Sequence, residues 1–126
     1  MKYPRTFFKC EHCGNFVGMV DNAGVKIICC GEPMKLVEAN TTEAAVEKHI
    51  PAVTRNGNVL DIVVGEVAHP MTEEHHISWI MAAQDKLTVR VALAVTGEPK
   101  AELTVGDGSA TVYAYCNLHG LWAVDV

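Results

Sequence analysis

Residues 87–95 read LTVRVALAV, and the spacing inside this stretch decides the fold class. Leu87, Val89, Val91, Leu93 and Val95 alternate with Thr88, Arg90, Ala92, Ala94 and Thr96, a period of two that gives an extended strand one apolar face and one wetter face. Working outward, short runs of the same character lie at 52–55, 58–64, 77–82, 101–105, 109–115 and 121–126. Asn56-Gly57 predicts a type I′ hairpin turn between the first two, since that turn needs positive φ at both central residues. Gly106-Asp107-Gly108 predicts a similar turn between 101–105 and 109–115. About seven short strands at this spacing predict an all-β architecture, an immunoglobulin-like antiparallel β-sandwich over residues 49–126.

The N-terminal part reads differently. Residues 1–37 hold only brief β-like runs, at 6–9, 16–20 and 25–28, separated by Gly and Asn turns. A segment of this size cannot bury a sufficient core and needs a metal or disulfides to hold a fold. We therefore expect a small metal-stapled β module there. Residues 38–48 form the connection, with Asn40 and Glu43 marking the start of a short helix that continues through Ala44, Ala45 and Val46.

Composition excludes several classes. The chain of 126 residues carries a net charge of −5 and no run of Lys and Arg, which speaks against a nucleic-acid surface. No apolar run approaches the roughly 20 residues that cross a bilayer, so no membrane role is expected. The opening MKYPRTFFKC is cut by charges before a signal-peptide core forms, so the expected location is the cytoplasm. Five Cys and six His are many for this length. An odd number of cysteines without an export signal does not suit a disulfide framework.

Two constellations carry metal chemistry. Cys10-Glu-His-Cys13-Gly with Cys29-Cys30-Gly places two thiolates three positions apart and two side by side. Four thiolates in a tetrahedron suit zinc or a single iron, and ligand softness does not choose between them. Adjacent cysteines on a strand face opposite ways, so Cys29 and Cys30 share an ion only through a sharp twist, which Gly31 and Gly14 permit. His12, between ligands, reads as solvent-exposed. The second set is dispersed: His49 before Pro51, His69 before Pro70, His75 and His76, and Cys116 three residues before His119. Singly each is weak, but together they lie at strand junctions, where loops gather at one end of a sandwich.

These segments also resemble a known family. Cys10-x-x-Cys13-Gly14 with Cys29-Cys30 is similar to the desulforedoxin module, while EKHIP at 47–51, HPM at 69–71, EHHISWI at 74–80 and CNLHGLW at 116–122 resemble active-site segments of superoxide reductases. In this order the chain resembles the two-domain desulfoferrodoxins, a desulforedoxin-like part followed by a neelaredoxin-like sandwich. The resemblance implies two iron ions per chain, the first held by Cys10, Cys13, Cys29 and Cys30. It implies that His49, His69, His75 and His119 surround the second, with the Cys116 thiolate axial and one position open. His75 rather than His76 falls at the ligand position, leaving His76 as a supporting or surface residue.

The activity implied is one-electron reduction of superoxide to hydrogen peroxide, with a rubredoxin-like electron donor and a homodimeric assembly. The same resemblance gives Lys48 the attraction of superoxide and the ordering of water for protonation, and gives Glu47 the sixth position on oxidised iron. Trp79, Trp122, Met71, Leu121 and Pro70 are expected as an apolar wall that fixes imidazole orientation. The competing functions are an iron electron carrier, a dismutase and a structural zinc module.

Overall fold

The computed structural model of the chain describes residues 4–42, 44 and 46–126. Glu43, expected near the helix start, lies outside the described residues, as does the side chain of Glu47. Two compact units divide the chain, one of residues Arg5–Glu38 and one containing Ala39–Val126.

In the smaller unit β1 (Phe7–Lys9) is flanked antiparallel by β2 (Phe16–Gly18) and β5 (Lys35–Val37). A separate hairpin pairs β3 (Ile28–Cys29) with β4 (Glu32–Pro33). Its apolar interior is slight. Phe7 is buried against the ring of Phe16, centroids 5.6 Å apart, and Cys10 and Met34 are the other buried apolar residues described there. So small a core leaves most of the ordering to the cysteines.

The larger unit begins with a single helical turn, α1 (Val46–His49), and continues as seven strands. β6 (Pro51–Asn56), β7 (Val59–Val64) and β10 (Lys100–Thr104) make one sheet in the order β10-β7-β6. β8 (Ile77–Ala83), β9 (Thr88–Ala92), β11 (Thr111–Cys116) and β12 (Gly120–Asp125) make the other, in the order β12-β11-β8-β9. All neighbours are antiparallel. Leu60, Ile62 and Val64 of β7 pack with Ile77, Ile80 and Ala82 of β8 and with Val112 and Ala114 of β11. Fully burying a large aliphatic side chain contributes about 1.5–3 kcal/mol, so these strands hold the sheets together. The β-sandwich expected from the sequence is present.

Several local expectations change. The hairpin between β6 and β7 pairs Asn56 with Val59, so its central residues are Gly57 and Asn58, not Asn56 and Gly57. Among them Gly57 alone has positive φ, at 60°, which suits a type II′ turn with glycine first in place of the expected type I′. Gly106-Asp107-Gly108 does not close a hairpin, because β10 and β11 belong to different sheets. The loop instead crosses the sandwich and is pinned by Gln84, whose amide donates to the Gly106 carbonyl at 2.9 Å and accepts from the Gly106 amide at 2.8 Å. The strand read over 87–95 ends at Ala92 and is a sheet edge, with Val89 and Val91 turned toward the core.

Asn40 caps no helix. The helix starts six residues later, and Asn40 has φ +62° and borders β12. Its amide donates to Leu121 at 2.9 Å, and its side chain accepts from the Ala123 amide at 2.9 Å and donates to the Ala123 carbonyl at 3.0 Å. A side-chain amide thus imitates a paired strand residue on the edge of the sheet. Asn40→Ala removes both side-chain bonds and forces alanine into the left-handed region. We expect a loss of about 2–3 kcal/mol in urea unfolding, with Asn40→Gly, which keeps the backbone freedom, losing less.

Candidate metal centres

Two tight turns gather the four cysteines of the smaller unit. After β1 the Gly14 amide donates to the Cys10 carbonyl at 2.9 Å, and the Cys10 amide donates to the Asn15 carbonyl at 2.8 Å. This knuckle, with Gly14 at φ +83°, points the Cys13 amide at Cys10 Sγ, 3.5 Å away. The β3–β4 hairpin turns through Cys30 and Gly31, whose φ angles are 53° and 77°. Positive φ at both central residues is the type I′ requirement, met here by a cysteine in the left-handed region. This is the twist that lets neighbouring cysteines serve one ion: the four sulfurs lie within 4.8 Å of one another.

The donor set fits a metal. Four sulfurs placed 2.3 Å from a central ion stand about 3.8 Å apart. Cys13 Sγ and Cys29 Sγ are 3.6 Å apart, and none of the cysteines is in a disulfide. The Cys13 amide draws the Cys10 thiol down to about 6, while the hydrogen bond with the Cys13 sulfur heads the causes that push Cys30 up to about 12. Without a cation the cluster holds one negative charge readily and resists more. Asn15, whose side-chain amide reaches Cys29 Sγ at 3.6 Å, gives that sulfur a donor. His12 stands outside the set and pairs with Glu32 at 3.0 Å, both side chains exposed.

At one end of the sandwich the second set converges. His49 ends α1 just before β6, His69 lies in the β7–β8 loop, His75 precedes β8, and Cys116 and His119 flank the turn from β11 to β12. Neighbouring rings round the set, in the order 49, 69, 75, 119, have centroids 4.7, 4.5, 5.0 and 5.0 Å apart and are tilted by 77° to 89°. Across the set, His49 and His75 are 6.4 Å apart and within 28° of parallel. The imidazoles therefore form a four-cornered ring. His49 Nε2 is 3.1 Å from His69 Nε2 and 3.2 Å from His119 Nδ1. Nitrogens 2.1 Å from an ion at the centre of a square would stand about 3.0 Å apart.

Hydrogen bonds orient the rings. His69 Nδ1 is 2.7 Å from the Pro70 carbonyl, which only accepts, so Nδ1 carries the proton and the Nε2 lone pair faces inward. Trp122 stacks on His49 at 5.0 Å, and its Nε1 donates to the His119 carbonyl at 3.1 Å. His75 Nε2 is buried and has no hydrogen-bond partner among the described residues. A buried polar atom left in this way costs about 1–3 kcal/mol, and a metal ion satisfies it. His76 is turned away, its Nδ1 donating to the Thr72 carbonyl at 2.8 Å.

Cys116 completes the set. Its register with Ile77, after Tyr115 pairs with Trp79, marks a bulge that re-aims the end of β11. The sulfur is fully buried, accepts from the His119 amide at 3.4 Å and lies 3.9 Å from His119 Nδ1. It is within 4.8 Å of the inward nitrogens of both His49 and His75, which stand at opposite corners. His119 belongs to the same close group, and His69 joins it through the 3.1 Å approach of its Nε2 to that of His49. Burial pushes the Cys116 thiol up against the donating His119 amide, and burial also lowers His69 to about 4. The site thus presents imidazoles at His69 and His75 whose burial disfavours the charged form, and a thiol that ionises in the company of a cation.

Of the expected wall, Trp122 touches a ligand, whereas Trp79 stacks on Tyr115 at 5.9 Å and Met71 accepts from the Ile77 amide at 3.3 Å. Sequence reading missed Asn15 and the side-chain role of Asn117, and read Asn40 as a helix start. Each acts through a side-chain amide, a residue type too common to carry a signal.

A sandwich with four imidazoles gathered beside a buried thiol, in a chain that also carries a four-cysteine knot, defines a metalloprotein with two non-haem centres. Comparison with known proteins agrees. A family model described as Desulfoferrodoxin matches residues 41–125, and one described as Desulfoferrodoxin, N-terminal domain, matches residues 5–37. A desulfoferrodoxin homolog of Archaeoglobus fulgidus is 47% identical over 91% of this chain and 92% of its own. A desulfoferrodoxin of Clostridium acetobutylicum is 41% identical over the full length of both. The crystal structure of the superoxide reductase from Treponema pallidum superposes with a TM-score of 0.77, at 36% identity, over 95% of this chain and 98% of that one. The chain belongs to the desulfoferrodoxin family, whose members bind two irons.

The buried His69 predicts a pH dependence for the metal-free protein. In the unfolded chain the imidazole takes up a proton near 6.5, and in the folded chain only near 4. Stability from this group is complete above pH 6.5 and falls as the pH drops toward 4. The expected loss is up to about 1.4 kcal/mol per pH unit, read from urea unfolding at pH 7 and pH 5.

Proposed function

We propose that this protein is a superoxide reductase acting at the sandwich centre: superoxide gains one electron and two protons and leaves as hydrogen peroxide. The observation that carries the reading is the four imidazoles gathered beside the buried Cys116 sulfur. His49, His69, His75, His119 and Cys116 would hold iron. Iron bound there supplies the electron and an open position for the substrate. These five residues would leave room on the metal for the substrate, and the Cys116 thiolate would supply it with electron density.

The chain's own residues do the rest. Burial and the Pro70 carbonyl keep His69 neutral and aimed inward. Lys48, exposed in the last turn of α1 beside His49, acts electrostatically on His75. A cation there draws the superoxide anion to an otherwise acidic molecule and orders water for protonation. Glu47, from the same turn, would bind the oxidised iron after turnover.

In this reading residues 1–37 form the four-cysteine iron module, 38–48 the connection and 49–126 the catalytic domain. A rubredoxin-like protein returns the electron, the chain pairs as a homodimer, and the work is done in the cytoplasm. Family membership supports these assignments, and no helix among the described residues is long and apolar enough to cross a membrane.

Product stoichiometry tests the activity. Reduced, iron-loaded protein given a pulse of superoxide is expected to yield one peroxide per superoxide and no oxygen. Half that yield with oxygen evolved would make it a dismutase. Lys48→Ile is expected to slow the second-order reaction about tenfold at low salt and to flatten its salt dependence. An unchanged rate removes Lys48 from the mechanism.

A further inference from the structure

Asn117 sits between Cys116 and His119, yet its side chain serves the neighbouring corner of the ring, the one that His75 occupies. Its Oδ1 accepts from the His76 amide at 2.9 Å, and its Nδ2 donates to the Glu74 carbonyl at 2.9 Å. Its own amide donates to the His76 carbonyl at 3.2 Å. Three hydrogen bonds thus bracket His75 from both sides. They begin where the register between β8 and β11 has slipped at the bulge, so they continue the joint between the two strands beyond the regular ladder.

The segment so held is already folded on itself. The Thr72 amide donates to the His75 carbonyl at 2.9 Å, and the His75 amide donates to Thr72 Oγ1 at 3.1 Å. Residues 72–76 therefore form a closed turn that presents His75 as a unit. What relates that unit to Cys116 and His119 is Asn117, which needs both halves of its amide to do so. An aspartate would keep the acceptor and lose the donor.

We propose that Asn117 is a positioning residue of the catalytic centre, a strut that fixes His75 relative to the Cys116 sulfur and so sets how firmly iron is held. The proposal rests on the reading of this site as the second iron centre. Residues that orient metal ligands commonly change metal affinity by about 10- to 100-fold when removed.

The test is release of ferrous iron to a chromogenic chelator from the two-iron protein, with the four-cysteine centre as internal control, alongside the thiolate-to-iron absorption band of the oxidised second centre. Asn117→Ala is expected to release iron from the second centre at least tenfold faster, to shift that band and to leave the first centre unchanged. Asn117→Asp is expected to fall between. Unaltered release and band in both variants, or equal acceleration at both centres, would overturn the proposal. Wild-type protein that holds iron at the four-cysteine centre alone would instead sink the functional reading, before any variant is made.

Discussion

Ring nitrogens held 3.1 and 3.2 Å from one another have given up water and cannot all satisfy each other, since a neutral imidazole offers one donor and one acceptor. Placing a buried sulfur beside them adds a group that burial keeps protonated. Both difficulties have one remedy, a cation at the centre. The loops that carry these side chains therefore answer to the ion as much as to the sheets, and the sandwich provides a rigid base from which three separate connections can reach one point.

That base works because the ligands sit where strands begin and end. Pro51 pairs with Val64 and Cys116 with both Ile77 and Gly120, so the ends of both sheets are fixed within a residue or two of the ligand-bearing turns. Cys116 is also the last core position of β11, following Val112 and Ala114. The Cys116 sulfur is thus part of the hydrophobic interior, and the imidazoles are brought to it from loops.

Legibility followed the kind of signal. The alternation over 87–95 and the apolar runs around it announced a sandwich because half-burial imposes period two whatever the neighbours are. The candidate donors were legible because Cys and His are scarce and their order matched a family pattern. Gly106-Asp107-Gly108 misled because a turn signal is local, whereas the choice between pairing back and crossing to the other sheet depends on β7 and β8, far away in sequence. Asn40 misled for the opposite reason: a residue type apt for capping found a better partner in Ala123, 83 positions on. The Cys29-Cys30 pair was read correctly as needing a twist, but the left-handed cysteine that supplies it has no mark in the sequence.

The two centres also differ in when they can exist during synthesis. Cys13 and Cys29 are 16 positions apart, whereas His49 and His119 are separated by 70. Closing the longer loop costs about 1.3 kcal/mol more chain entropy, and it requires the β11–β12 turn to have been made. The cysteine knot can accordingly take up its metal while the ribosome is still extending the chain. The imidazole ring is assembled only after the turn from β11 to β12 has emerged, so a metal ion reaches it through a domain whose sheets are already closing.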